Sequence, residues 1–148
     1  MGRLVGWYDK LHLQIHDLVY TPGDHLDVYD ADFGKFGVMI SADRRWPETV
    51  RTLRLKGALI VFNPSYGFHN DLNTAIMRMR SFENEIAIAF CHPEHALLTG
   101  LLGKVHFDSE DDNLRYCIVG YDLSGVKERR RDSSSHVKDR RPDVYEPE

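Results

Sequence analysis

Hydrophobic and polar positions along the chain follow two periods, and the change from one to the other marks out the elements. Residues 37–40, GVMI, form a short apolar run that predicts a buried strand. After the polar stretch 41–45, Trp46, Val50 and Leu53 recur at helical spacing. Pro47 suits the first helical turn, where no backbone bond is lost, and Glu48 suits the positive end of the helix dipole. Gly57 predicts the helix stop, and ALIVF at 58–62 predicts a second buried strand, parallel to the first. The pattern then recurs. NPSYG reads as a loop, Asp71 stands where a helix cap is expected, Leu72, Ile76, Met79 and Phe82 share one helical face, and EIAIAF at 85–90 reads as a strand. Two successive crossovers predict at least three parallel strands.

The flanks are less regular. In GWYDKLHL, 6–13, apolar residues on either side of His12 predict a half-buried strand that carries Lys10. TPGD at 21–24 is turn chemistry, and LDVYD at 26–30 predicts another short strand. Beyond CHPEH, strands are expected near 96–99, 103–107 and 115–120, the last two separated by the acidic turn DSEDDN. They would continue the sheet antiparallel. From Asp122 a short charged helix is expected to about Arg131, followed by a polar, extended tail. The fold class is α/β, and 148 residues with 42% hydrophobic content suit one domain.

Composition removes several function classes. A net charge of -4 supplies no field for nucleic acid or an anionic membrane, and residues 127–148 balance seven basic side chains against six acidic ones. No apolar run reaches the length of a membrane span, and charged residues occupy the N-terminus where a signal peptide would be apolar. Cys91 and Cys117, in apolar or strand-like settings, read as reduced core thiols, which favours the cytoplasm.

Candidate chemistry gathers where strands end, because ligands of open α/β sheets bind beyond the carboxyl ends of the strands. Ser41 lies there, followed by a helix start whose free N–H groups can hold an oxyanion; Asn63 and Ser65 follow the next strand onto the same edge. Position alone also fits a hydrophilic strand end or a capping group. The glycine-flanked elbow of serine hydrolases is missing, since Met39 and Asp43 stand at its glycine positions. Lys10 could serve as a base or steady an anion, or could be a solvated surface lysine. Cys91, His92 and His95 in CHPEH have a faintly metal-like spacing that a strand exit and proline turn equally explain. No metal site is expected.

Taken together, YDKLHL at 8–13, TPGD at 21–24, FGKFGVMISADRRWPETVRTLRLKGALIVFNPS at 33–65, RSFEN at 80–84 and KDRRPDVY at 138–145 resemble the carbon-nitrogen hydrolase (nitrilase) superfamily, in order and spacing, from about residue 6 to 145. The resemblance implies an α-β-β-α sandwich, assembly into oligomers, and hydrolysis of amide, nitrile or N-carbamoyl bonds by a Glu, a Lys and a Cys, without metal or organic cofactor. The family lysine falls on Lys10 and the cysteine slot on Ser41; an additional family acid falls on Asp17. The backbone N–H of Ala42 would join Lys10 in holding the oxyanion, with Arg45, Trp46 and Asn63 near the pocket. Two departures follow. Serine replaces the thiol, and no acid here matches the family's general base, Glu48 and Glu83 reading as helix-end charges. Residues 1–121 then correspond to an incomplete domain lacking its N-terminal half, with 122–148 a helix and tail of the same unit. The expected chain is a hydrolase relative inactive alone, with a small-molecule substrate and either copies of itself or the absent half as partner; the alternative is a non-catalytic binding or oligomerisation module.

Overall fold

The computed structural model describes residues 2–67, 70–110 and 116–145. Six strands form one sheet in sequential order: β1 Val28–Ala31, β2 Gly34–Val38, β3 Ile60–Pro64, β4 Ala87–His92, β5 His95–Thr99 and β6 Val105–Glu110. β2, β3 and β4 are mutually parallel and the remaining pairs antiparallel. The crossovers are α1 Pro47–Leu55 and α2 Asp71–Asn84. Because parallel crossovers are right-handed and β2, β3 and β4 are laid down in one direction, both helices fall on the same face of the sheet.

That face holds the main core. Val61, Ile88, Phe90 and Leu97 from the strands meet Val50 and Leu53 of α1 and Met77 of α2. A side chain at Gly37 would stand 2.8 Å from Leu53, so glycine in β2 lets α1 settle directly on the sheet. The opposite face carries Phe36, Ile60, Phe62, Ala89, Leu98 and Phe107, equally apolar, with Tyr121 and Leu123 as its covering residues. Between this face and residues 116–121 lies a cavity of about 460 Å³. The sheet is thus apolar on both sides, and α1 and α2 cover one of them.

After α2 the chain turns at Glu85, left-handed at φ 51°, and runs into β4. The Glu85 carboxylate is buried, and it gathers the C-terminal region. Arg129 Nε donates to it at 2.9 Å from the end of α3 Ser124–Arg129, and the His136 backbone N–H at 3.0 Å from the tail. Arg54 Nη2 of α1 stands 4.0 Å away. Arg130 donates to the carbonyls of Gly57 and Ala58, binding α3 to the start of β3. The tail is therefore turned and docked, with Ser135 buried, where an extended course was expected.

Other expectations change for similar reasons. Residues 6–13 form no strand. Residues 116–120 are irregular and exposed, while residue 115 and the second half of the acidic turn lie outside the described residues. Asn70 caps α2, its Oδ1 accepting from Leu72 N at 2.9 Å, and Asp71 is the first helical residue. The buried face of α2 is Asn73, Met77, Ser81 and Asn84, while Leu72, Met79 and Phe82 are exposed. Polar groups can face the sheet here because they are paired there, as Ser81 is with Thr99 at 2.7 Å. Cys91 and Cys117 are free thiols, but exposed, because both border the open cavity, Cys91 from β4 and Cys117 from the segment over it.

Removing the buried carboxylate at the hub takes the acceptor from the half-buried Arg129 Nε and the His136 N–H, and the counter-charge from the buried Arg54. Glu85→Ala should lower stability by about 3 kcal/mol in urea unfolding and speed proteolysis within the tail.

Candidate active site around Ser41

β2 ends at Val38, but Met39 N still donates to Phe62 O at 3.0 Å, so the ladder draws the chain straight as far as the buried Met39. Asn63 Nδ2 holds the Met39 carbonyl at 3.1 Å. The chain then reverses. Ser41 adopts φ 49°, the left-handed region, and opens a 3-10 turn, Ser41–Arg45, that leads into α1. Such a conformation in a non-glycine residue costs about 1 kcal/mol and persists only where its surroundings impose it.

Asp43 imposes it. Its buried carboxylate accepts from Ile40 N at 2.9 Å, which closes the reversal, and from Tyr8 Oη at 2.7 Å, His12 N at 2.9 Å and His12 Nδ1 at 2.8 Å. One side chain thus joins the bend at Ser41 to an N-terminal arm that has no sheet bonds of its own. The arm is docked further by the His12 ring, stacked on Trp46 at 3.9 Å and 6°, and by Arg45 Nη1 donating to Gln14 Oε1 at 2.8 Å. Burial and the Asp43 bond push the Tyr8 phenol far up, so it remains a donor at any physiological pH.

Lys10 forms an ion pair with Asp17, and together with Tyr8, Tyr20 and Ile40 they line a cavity of about 390 Å³ beside the bend. The Lys10 ammonium, followed by the Gln14 N–H, holds the Asp17 carboxyl below its ordinary range. Gly23 N donates to Lys10 O at 3.0 Å, and a side chain at Gly23 would meet the Asp9 carbonyl at 2.4 Å, so TPGD is a close-packing segment against the arm.

Asp43 thus brings the arm beside the bend, where the Lys10 ammonium engages Asp17 while Ser41 Oγ faces the Ser65 hydroxyl at 3.5 Å. Ala42 is buried in the first turn, Trp46 borders the arm, and Asn63 supports the bend from beneath. Cys91, His92 and His95 lie across the β4–β5 hairpin, His92 opposite His95, and among the described residues no three His, Cys, Asp or Glu side chains gather as a metal site.

Sequence reasoning overlooked Asp43, His12, Tyr8 and above all Arg44. Arg44 is almost wholly buried; its Nε donates to Asn73 Oδ1 at 2.9 Å, its Nη1 to Ser65 Oγ at 3.1 Å, and its guanidinium stands 5.6 Å from the Phe90 ring centre. Burial, aided by the charge of Arg45, lowers it to about 10, which leaves it protonated at neutral pH. Arg80 of α2 reaches across to the carbonyls of Arg44 at 3.3 Å and Arg45 at 2.9 Å, capping the 3-10 turn. Nothing in the sequence set Arg44 apart from Arg45, since residues 41–45 read as one polar stretch.

The sequence profile described as carbon-nitrogen hydrolase matches residues 1–131. A probable nitrilase of Schizosaccharomyces pombe is 28% identical over 157 residues, covering 97% of this chain and 58% of the relative. An omega-amidase of Saccharomyces cerevisiae is 26% identical over 170 residues, covering 97% of this chain and 57% of its own length. The chain therefore spans a little over half the length of these relatives. The crystal structure of a carbon-nitrogen hydrolase from Helicobacter pylori superposes with a TM-score of 0.78 at 24% identity, over 95% of this chain and 60% of that one. No helix among the described residues is long and apolar enough to cross a membrane.

Asp43→Ala strands several donors at once and should cost about 3 kcal/mol in urea unfolding, with loss of protection from proteolysis in the arm. The Asp17 pair carries a pH signature. Because its folded pKa is depressed, its stabilisation is present above about pH 4 and lost as pH falls through the lowered value, so the stability gap between wild type and Asp17→Asn should shrink in acid.

Proposed function

This chain belongs to the carbon-nitrogen hydrolase family, and on that premise we propose that the margin at Ser41 is an acyl-transfer site for non-peptide carbon-nitrogen bonds, held in a form that does not turn over alone. The observation that carries the reading is the left-handed bend at Ser41, which presents its side chain at the carboxyl end of β2 with the Lys10 arm clamped beside it by Asp43. A thiol in that place would attack an amide or nitrile carbon, and Lys10 and the Ala42 N–H would hold the developing anion. Asp17 already holds the Lys10 ammonium at the edge of the cavity.

Ser41 supplies a hydroxyl instead, whose proton is hard to remove without a strong base; its neighbour Ser65 is a hydrogen-bond donor to it. The family reaction also calls for a glutamate that none of this chain's acids matches. We assign that carboxylate to a complementary half, seated against the uncovered apolar sheet face of Phe62, Ala89, Leu98 and Phe107. The substrates proposed are small amides, nitriles or N-carbamoyl amines. The free, exposed Cys91 and Cys117 suit a reducing compartment, and a cytoplasmic site of action is proposed on that ground.

The same uncovered face favours one other reading, that of a non-catalytic binding or assembly module. The chain alone should show no turnover of amides, nitriles or N-carbamoyl amino acids. Ser41→Cys co-expressed with the N-terminal half of a family hydrolase should gain turnover at least a hundredfold above the same pair carrying Ser41 (on the order of a general-base contribution). Robust turnover by the unaltered chain that survives Ser41→Ala defeats the site assignment, and a stable complex of the two halves without any gain favours the module.

A further inference from the structure

We infer that Arg44 and Ser65 form a donor relay that stabilises negative charge on whichever atom residue 41 presents at the bend. The inference rests on the reading of Ser41 as the nucleophile position, and it concerns two residues that this reading leaves without a role. Arg44 Nη1 donates to Ser65 Oγ at 3.1 Å. A hydroxyl that accepts from a guanidinium turns its own proton elsewhere, and the Ser65 proton is directed at Ser41 Oγ. The polarity of the chain is therefore Arg44 to Ser65 to Ser41, with donors aimed at residue 41 throughout. Such a relay cannot accept the Ser41 proton, but it can hold an anion there.

The relay is rigid. Asn73, buried on α2, accepts from Arg44 Nε at 2.9 Å and fixes the plane of the guanidinium, while Phe90 packs beneath it. Arg80 holds the Arg44 and Arg45 carbonyls. A buried cation so close to the bend acts through a low effective dielectric, where its field on residue 41 is little screened.

The spacing carries a second message. At 3.5 Å the Ser65 to Ser41 hydrogen bond is longer than the roughly 2.7–2.8 Å usual between hydroxyls. A sulfur atom, with its longer bond to Cβ and larger radius, would close that gap, and Gly67 leaves room, its absent side chain standing 3.8 Å from Ser41 Oγ. The cradle fits a thiolate better than the hydroxyl it holds.

Other charged groups face this position and enter the test. From the arm come Lys10, paired with Asp17, and His12, paired with Asp43. Within the turn are Asp43 and Arg45, from α2 comes Arg80, and from β4 comes His92, whose Nε2 meets the carbonyls of Tyr66 and Gly67 at 2.7 and 3.0 Å.

The test measures the thiol, not turnover. Ser41→Cys is placed in the full chain with Cys91→Ser and Cys117→Ser, and its carbamidomethylation by iodoacetamide is followed against pH. The titration midpoint should lie below that of an ordinary thiol, about 8.5. Ser65→Ala should raise it by roughly one unit and slow alkylation at pH 7 up to about tenfold, whereas Ser65→Thr, which keeps the hydroxyl, should restore it. Arg44→Met should move it in the same direction; because Arg44 is buried, thermal unfolding must show that this variant is folded, and Ser65→Ala decides if it is not. An unchanged midpoint in folded Ser65→Ala, or a depression removed wholly by Lys10→Met, overturns the relay. Neither result depends on hydrolysis, so failure of the proposed activity leaves the relay readable, and failure of the relay leaves that activity to its own assay.

Discussion

The carboxylate of Asp43 is the constraint on which the rest of the site depends. A strand that ends in a parallel sheet must turn away before it meets the next layer, and here the reversal takes a non-glycine residue into the left-handed region. Asp43 offsets that strain by accepting the Ile40 N–H across the bend, and with its other lone pairs it holds Tyr8 and His12. The same group that shapes the bend at Ser41 therefore also docks the arm carrying Lys10. Separating the two functions by mutation would be difficult, because they share one buried atom pair.

The second organising fact is one-sidedness. Sequential parallel strands with right-handed crossovers can place α1 and α2 on only one face of the sheet, yet the strands are apolar on both. Residues 116–123 lie over the second face without sealing it, which accounts for the cavity there and for the exposure of Cys91 and Cys117.

Charge placement at the bend is equally uneven. The arm side holds its polar groups in local pairs, Lys10 with Asp17 and His12 with Asp43, whereas the sheet side presents donors, the buried Arg44 through Ser65 and Arg80 through the turn carbonyls. A hydroxyl in such surroundings is kept protonated and accepting. An environment of this kind helps an atom that is already easy to ionise, and does little for one that is not.

The repeating strand and helix periods were legible in the sequence because buried strands and one-sided helices must be apolar at fixed intervals, and so the order of β2, α1, β3, α2 and β4, their parallel pairing, and the placing of Ser41 at a strand end followed from pattern alone. The family motifs singled out Lys10 and Asp17, which the structure pairs with each other. Periodicity misjudged the face of α2, since Asn73, Ser81 and Asn84 are buried through specific hydrogen bonds that no apolar count registers. It read a strand into residues 6–13, where the arm is held by side-chain bonds to Asp43 instead of a ladder. Arg44, a charged residue by composition, became interior only because Asn73, Ser65 and Phe90, brought from distant parts of the chain, offer it partners. Local sequence determines which segments are strand or helix; which polar group can be buried depends on what the fold sets opposite it, and only the tertiary structure decides that.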